Sequence, residues 1–548
     1  MKFIIIGILV LFLFSAKSPS YIEAATIQES DVNKDGNISV LDLSLIAGDF
    51  GGIDPRYDLD GDGSVSILDL NIVSSYFTQS YATYTITTND NPQTIINSAP
   101  AGSLFLFDAG THRATSNTMI TARTGDVFSS HQGAILSGAK VLTNWIVDGS
   151  VWRIDGQTQA QSGSAGTTNC RSGVDSCRLN HDLFIDNSPL MEVTSLGAVT
   201  AGKWFFDYAN DKIYIGDNPT SKTVEVSQYQ QAITCSCNGV HIRGLTIEKF
   251  SNSAQSGAVA GQSGNDWTVE LSTLRLNHGA GYGASGSSVI MHNTIFKNGQ
   301  LGLHASGKSN LWIEANTITY NNYAGYSDGW EAGGFKFATG GDNIYVFKNT
   351  SSYNEGPGMW MDYVGTGAVY RQNTVEYNKA RGISHEISYD ALIYDNIVRY
   401  NSTDGGDAWA FGAGILIQNS SNVEVYDNIV VVLATSGDGI TVVHQNRNDA
   451  ATPRPGTNNY IHNNEIWHLG SVGQNGIFAD CPLTTCDSTN PFYKPLAWDT
   501  NIFDNNIYHV PSLTSSRWET DGSAMNWTTF RAAGQEPNGT ADTNNTYP

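Results

Sequence analysis

The sequence predicts an all-β solenoid, and three observations carry that prediction. A short phrase, Asn-x-[Ile/Val/Ser]-x-x-Asn, recurs at Asn293 to Asn298, Asn316 to Asn321, Asn349 to Asn354, Asn373 to Asn378 and Asn396 to Asn401, with a shorter copy at Asn428 and echoes at Asn464 and Asn505. Each copy follows a short alternating run such as Leu311-Trp312-Ile313 or Ile344-Tyr345-Val346, so every period holds strands separated by Gly/Asn turns and no helical pattern. The chain contains 56 Gly with only 15% charged residues, a balance that suits a turn-rich β protein. Short strands repeating at one register stack into a solenoid. Asn suits its bends because it tolerates left-handed backbone angles and its amide reaches the coils above and below.

Charge and cysteines narrow the setting. A net charge of −23 spread without long acidic runs disfavours nucleic acid, whose phosphates it would repel. Lys2, the apolar run Phe3 to Phe14 and Glu23-Ala24-Ala25 have the order of a signal peptide over residues 1–25, so the mature protein is expected to be secreted, extracellular or at the cell surface. The leader's apolar run is too short to span a bilayer comfortably, and no later segment is long and apolar enough. Six cysteines then belong to an oxidising compartment. Cys170 with Cys177 and Cys481 with Cys486 read as small-loop disulfides, while the partner of Cys235 and of Cys237 is left open.

Residues 26–80 carry a second pattern. Asp31, Asn33, Asp35, Asn37 and Asp42 occupy positions 1, 3, 5, 7 and 12 of a twelve-residue loop with Gly36 at the turn, and Asp58, Asp60, Asp62, Ser64 and Asp69 repeat the spacing around Gly63. Hard oxygens converging from one tight loop suit Ca²⁺, with position 7 supplying its backbone carbonyl, so two Ca²⁺ sites are expected. Each loop runs into an apolar helix-like segment, Leu43 to Phe50 and Leu70 to Phe77. This duplicated segment resembles a dockerin, the paired Ca²⁺-loop-and-helix module that docks secreted polysaccharide-degrading enzymes onto cohesin scaffolds. The resemblance implies a cohesin-like partner. Positions 10 and 11, which help select the cohesin in dockerins, are the apolar pairs Val40-Leu41 and Ile67-Leu68, a departure from the Ser-Thr type.

From residue 81 to 548 the chain reads as β-rich. Leu104 to His112 and Gly133 to Ala139 resemble the opening coils of a right-handed parallel β-helix of the pectate-lyase-like superfamily. Residues 140–230 break the period and read as a β-rich insertion, with regular coils resuming at Val240. The resemblance implies a fold and leaves function to the site, because that solenoid serves hydrolases, lyases, epimerases and tailspikes alike.

A second phrase, Gly followed by a short strand, locates a candidate site. It recurs at Gly302, Gly334, Gly358, Gly382, Gly414 and Gly476. Alternate strand residues face opposite ways, so the apolar pairs Phe335/Phe337, Met359/Met361 and Ile415/Ile417 fill the core and the intervening residues point to solvent. That outward set is His304, Lys336, Trp360, Asp362, Ser384, Glu386 and Gln418. Asp362 and Glu386 fall on adjacent coils about 4.7–4.9 Å apart, too close for both to ionise freely, so one is expected to hold its proton and serve as an acid. The same pair also suits a solvated polar ladder or a further Ca²⁺ site.

Glu331 in the preceding turn is a third candidate carboxylate, and Trp330 and Trp360 offer rings to stack on sugars or to pack in the core. His385 falls on the inward phase and reads as a core histidine. These residues favour a polysaccharide-degrading glycoside hydrolase with Asp362 and Glu386 as its carboxylate pair and Lys336, Trp360, Ser384, Gln418 and His304 placing the sugar. The runner-up is a polysaccharide lyase or uronate epimerase in which Lys336 is the base and Arg381 helps. A non-catalytic glycan-binding or surface-assembly protein is the third reading.

Overall fold

The computed structural model describes residues 27–59, 63–77, 82–130, 133–405, 409–447, 454–482, 484 and 486–548. The leader, Asp60 and Asp62 lie outside the described residues. The chain divides into two compact units, Met1–Thr83 and Tyr84–Pro548. Among the described residues no helix is long and apolar enough to cross a membrane.

In the first unit two nine-residue helices, Val40–Gly48 and Ile67–Ser75, begin three residues earlier than the apolar pattern suggests. The reason is capping. The Ser39 hydroxyl accepts from the Leu41 amide while Asp42 accepts from the Ser39 amide, and Ser66 and Asp69 repeat the arrangement. Such reciprocal boxes satisfy the free amides of a helix start. Ile46 and Val73 pack with Val32, Ile38 and Val65 into a small core of their own.

Among the described residues the second unit is a solenoid of three sheets of 13 strands, parallel except for the closing pair Trp518–Thr520 and Ser523–Met525. Every full coil adds one strand to each sheet in order, as Leu311–Glu314, Thr317–Thr319 and Gly333–Ala338 do. The inward residues Phe335, Phe337, Met359, Met361, Ile415 and Ile417 are all buried in the shared core. The last Gly phrase is displaced: Gly476 pairs with Thr441, and Thr441 with Leu416, so Gly476 lies two residues further along the strand than the other copies.

Both Asn residues of the repeated phrase form continuous ladders. The Asn316 Nδ2 donates to Asn349 Oδ1 at 3.0 Å, Asn349 to Asn373 at 3.1 Å, and Asn373 to Asn396, Asn396 to Asn428, Asn428 to Asn464 and Asn464 to Asn506 at 2.9 Å. The second ladder runs through Asn277, Asn298, Asn321, Asn354, Asn378 and Asn401. The left-handed residue is not the ladder Asn, as the sequence suggested, but the residue before it: Lys348, Gln372 and Asp395 have φ of 55°, and Tyr353 and Tyr377 have φ of 55° and 54°. A left-handed residue aims the following side chain along the stack, so the Asn is selected for its amide. Gly358 and Gly382 directly precede their strands, where a Cβ would crowd the core valines Val375 and Val398 and the ladder, 2.7 Å from Asn378 Nδ2 and 2.8 Å from Asn401 Nδ2 respectively.

The insertion spans Ala139–Ser227 and folds into two antiparallel-rich sheets of four and five strands. Its core holds Trp204, Phe206 and Ile213. Among the described residues three short α-helices, Pro92–Ser98, Lys494–Thr500 and Trp527–Ala532, accompany the first and last coils of this otherwise β-built unit. At the chain's end Glu536 terminates the first ladder, accepting from Asn506 Nδ2 and the Tyr508 hydroxyl, both at 2.7 Å.

Asn373→Ala would leave the Asn349 amide groups and the Val346 carbonyl without their buried partner. Each such orphan costs about 1–3 kcal/mol, so denaturant unfolding is expected to show a loss of that order or more. Thr317→Ala, on the exposed face, is expected to stay within about 0.5 kcal/mol. Equal effects at the two positions would refute a stabilising ladder.

Candidate functional site

The third sheet brings the candidate residues into two rows. His304, Lys336, Trp360 and Ser384 are successive register partners in one, and Asp362, Glu386 and Gln418 in the next. The expected exposure is corrected: His304, Lys336, Trp360, Ser384, Glu386 and Gln418 are all buried. They do point away from the core, but long turns on both sides of the sheet cover them. One cover is the segment between Asn321 and Gly333, which carries Trp330 and Glu331 and is tied to the insertion, where Arg171 donates its amide to the Gly325 carbonyl at 2.9 Å; the Arg171 guanidinium also pairs with Glu355 of the next coil at 2.7 Å. The other carries Gln445 and Arg447.

Within this enclosure the Lys336 ammonium lies 2.9 Å from Asp362 Oδ2, 2.9 Å from the Trp330 carbonyl it donates to, and 3.6 Å from the centre of the Trp360 ring. The Arg381 guanidinium lies 4.4 Å from the same ring, so cations attend Trp360 where a stacked sugar was expected. The Trp360 Nε1 donates to Glu386 at 2.9 Å, and Arg447 forms an ion pair with the other Glu386 oxygen. Trp330 is half-buried, with its ring 6.0 Å from Tyr326. Glu331 lies 3.3 Å from His304 Nε2. Gln418 donates to Gln445 at 3.2 Å, and the Ser384 hydroxyl is buried without a partner.

The carboxyls differ in environment. Burial first and the neighbouring Glu386 charge second push the Asp362 carboxyl above the usual range, against the opposing pull of Lys336. Burial also acts on Glu331, but His304, Lys336 and Gln255 together outweigh it and hold that carboxyl below its usual value. His385 is fully buried beside Tyr370, and burial lowers its pKa to about 3, as its inward phase implies. Two register-paired carboxylates flanked by cations, one of them raised, can divide an acid role from a charge-bearing one.

Sequence reasoning missed Arg447 and Gln445. Both lie in an irregular turn after the strand Asp438–His444, outside any repeat, and the only signal was the polar run Gln445-Asn446-Arg447 directly after a strand end.

In the first unit the Asp31 carboxylate accepts from the Asp35 and Gly36 amides at 3.1 and 2.8 Å, Asn33 from Asp35 at 2.9 Å, Asp35 from Asn37 at 2.8 Å, and Asp42 from Asn33 at 3.1 Å. In the second loop Asp58 accepts from Gly63 at 2.9 Å and Asp69 from Leu59 and Ser66, while Ser64 is exposed. Among the described residues no three acidic or His/Cys side chains converge on one point; in the first loop the carboxylates turn oxygens onto the loop's own amides. Asp31, Asp42 and Asp69 are fully buried and the donor set is all oxygen, which fits a hard cation. Three disulfides are formed, Cys170–Cys177, Cys481–Cys486 and Cys235–Cys237, so Cys235 and Cys237 pair with each other across a single intervening residue.

A family model described as a right-handed β-helix region matches residues 232–430. The solenoid is a right-handed parallel β-helix. XylC in complex with xylose is similar in structure at a TM-score of 0.58 and 12% identity, covering 84% of this chain and 86% of its own. A glycoside hydrolase (TM-score 0.41, 9% identity, 73% and 96% coverage) and the mannuronan C-5 epimerase AlgE4 A-module of Azotobacter vinelandii (0.38, 12%, 78% and 94%) are less similar. No curated protein matches by sequence.

The raised Asp362 carboxyl gives a pH signature. A carboxyl whose folded pKa exceeds its unfolded value of about 3.9 adds stability below that value and loses it as pH climbs through the folded one. The melting temperature of Asp362→Asn relative to wild type is therefore expected to rise between pH 4 and pH 7. A constant difference across that window would show that Asp362 titrates normally.

Proposed function

We propose that this protein is a secreted carbohydrate-active enzyme that hydrolyses O-glycosidic bonds of a polysaccharide, with Asp362 as general acid and Glu386 as the second carboxylate. The observation that carries the reading is the register pairing of these two side chains, with Asp362 held above the usual carboxyl range by burial and by Glu386. Asp362 protonates the leaving oxygen as the glycosidic C–O bond breaks, and Glu386, oriented by Trp360 Nε1 and Arg447, bears on the anomeric carbon or its attacking water. Lys336 and Arg381 position the substrate. In this reading Trp360 acts through Glu386 and Lys336 instead of as a stacking plate.

The xylose bound to XylC, whose fold this chain resembles, is in keeping with a sugar substrate. One observation favours a lyase or epimerase instead: Lys336, Arg381 and Arg447 gather around Trp360 and Glu386, a set that would neutralise a uronate carboxylate and leave Lys336 to take the adjacent proton.

The first unit is proposed to bind Ca²⁺ in both loops and to act as a dockerin-type module for a cohesin-like scaffold. Its exposed apolar pairs support this, Val40 and Leu41 at 65% and 58% and Ile67 and Leu68 at 58% and 52%, because matched apolar patches on two equivalent helices suit protein docking. The leader pattern and three disulfides support secretion.

A polysaccharide panel scored for new reducing ends and for unsaturated, ultraviolet-absorbing products separates the readings. A hydrolase yields reducing ends alone, and Asp362→Asn and Glu386→Gln each lower turnover by about 10²-fold or more with little change in melting temperature. Unsaturated product abolished by Lys336→Ala establishes the lyase. Full activity in all three variants refutes this site. Calorimetric Ca²⁺ titration of the intact chain is expected to show two sites, one lost in Asp31→Ala and the other in Asp58→Ala; titration without heat would sink the dockerin reading.

A further inference from the structure

Where the insertion meets the first coils lies a cavity of about 320 Å³ with an unusual lining. Its walls are side-chain amides, hydroxyls and rings: Gln159 and Gln161 from the insertion, Gln228 and Tyr229 from its return to the solenoid, His181 and Ser251 at the back. Among the described residues none of its lining groups is an Asp, Glu, Lys or Arg. Burial lowers His181 to a pKa of about 4, so it too is neutral at ordinary pH. In a chain of net charge −23 an enclosure without formal charge selects against ionic ligands and for neutral, polyhydroxylated ones, since each amide offers both a donor and an acceptor.

Two of its groups lack partners. The Ser251 hydroxyl is fully buried and the Gln159 Nε2 is enclosed, and neither makes a hydrogen bond. A buried orphan donor or acceptor costs about 1–3 kcal/mol, which a bound hydroxylated molecule would relieve. The cavity also lies on the catalytic sheet's edge. Asn117 and Gln230, both in its lining, directly precede the strands Thr118–Thr121 and Gln231–Thr234 of the sheet that carries Asp362. From the second of these strands to Met359–Asp362 there are five strand steps, about 24 Å at the usual ladder spacing. One glycan chain of several sugars, laid along the sheet, spans that distance.

The geometry points to a second glycan-binding site in this cavity, specific for a neutral sugar unit and separate from the charged enclosure around Asp362. It rests on the reading of the protein as acting on polysaccharide, and its role there is to hold the chain while the carboxylate pair works downstream. The hydroxyls of the sugar pair with the amides of Gln159, Gln161 and Gln228 and with Ser251, and Tyr229 offers a ring face.

The test uses the full chain carrying Asp362→Asn, titrated calorimetrically with xylohexaose, cellohexaose and mannohexaose, and with hexagalacturonate as the acidic comparison. At least one neutral hexasaccharide is expected to bind, and Gln161→Ala combined with Gln228→Ala is expected to weaken it about tenfold or more with the melting temperature unchanged. In the wild-type background the same double substitution should raise KM for long chains and leave kcat on the shortest cleaved glycan unaltered. Absence of binding by all three neutral probes, binding indifferent to the double substitution, or preference for hexagalacturonate lost with the double substitution overturns the proposal. Binding that obeys these expectations in a protein without turnover leaves the second site standing and removes only the hydrolase reading. Turnover with an unaffected double variant does the opposite.

Discussion

The side-chain amide ladder is the constraint on which the rest of the solenoid depends. Each ladder Asn lends its Oδ1 to the backbone and side-chain amides of the Asn one coil earlier, as Asn349 does for Asn316, and its Nδ2 reaches a carbonyl further back. A bond set of this kind admits one register. Slippage by a single residue would turn every inward side chain outward and orphan several buried amides at once. The left-handed residue before each rung costs about 1–2 kcal/mol, and the ladder is the favourable term that holds it there.

Because register is fixed at the bends, coil length is free to vary between them. Consecutive rungs are separated by 23 residues between Asn293 and Asn316, 33 between Asn316 and Asn349, and 42 between Asn464 and Asn506. The rung distances do not change. The extra residues are expelled into turns, and the turns beside Gly333–Ala338 and after Asp438–His444 form the walls around Lys336 and Glu386. Loop closure of such segments costs little per added residue, so a site can be enclosed without disturbing the strands that position it.

This division explains what was legible in the sequence. The strand phases, the ladder positions and the pairing of Asp362 with Glu386 follow from strict repetition, and repetition is visible in one chain. The helix starts at Val40 and Ile67 were displaced because Ser39 and Ser66 cap them, a local bond that apolar periodicity does not report. The burial of Lys336 and Trp360 was not legible, because their covers are the aperiodic turns. Arg447 lies 61 residues beyond Glu386, and no spacing rule connects an irregular turn to a strand two coils away.

The enclosure also resolves an electrostatic difficulty posed by the sequence. Asp362 and Glu386 sit on one sheet in a strongly acidic chain, and open to solvent they would be an ordinary polar ladder. Covered, they are desolvated together, and the cost of two charges in one space rises as the local dielectric falls. Lys336 and Arg447 each take one carboxylate, while Trp360, its ring against Lys336, holds Glu386 through its indole N–H. One carboxyl is left raised against its own ion pair. That imbalance follows from burial first and from the Glu386 charge second, so the aperiodic turns, which contribute nothing to the repeat, supply the burial that a polar ladder open to solvent would lack.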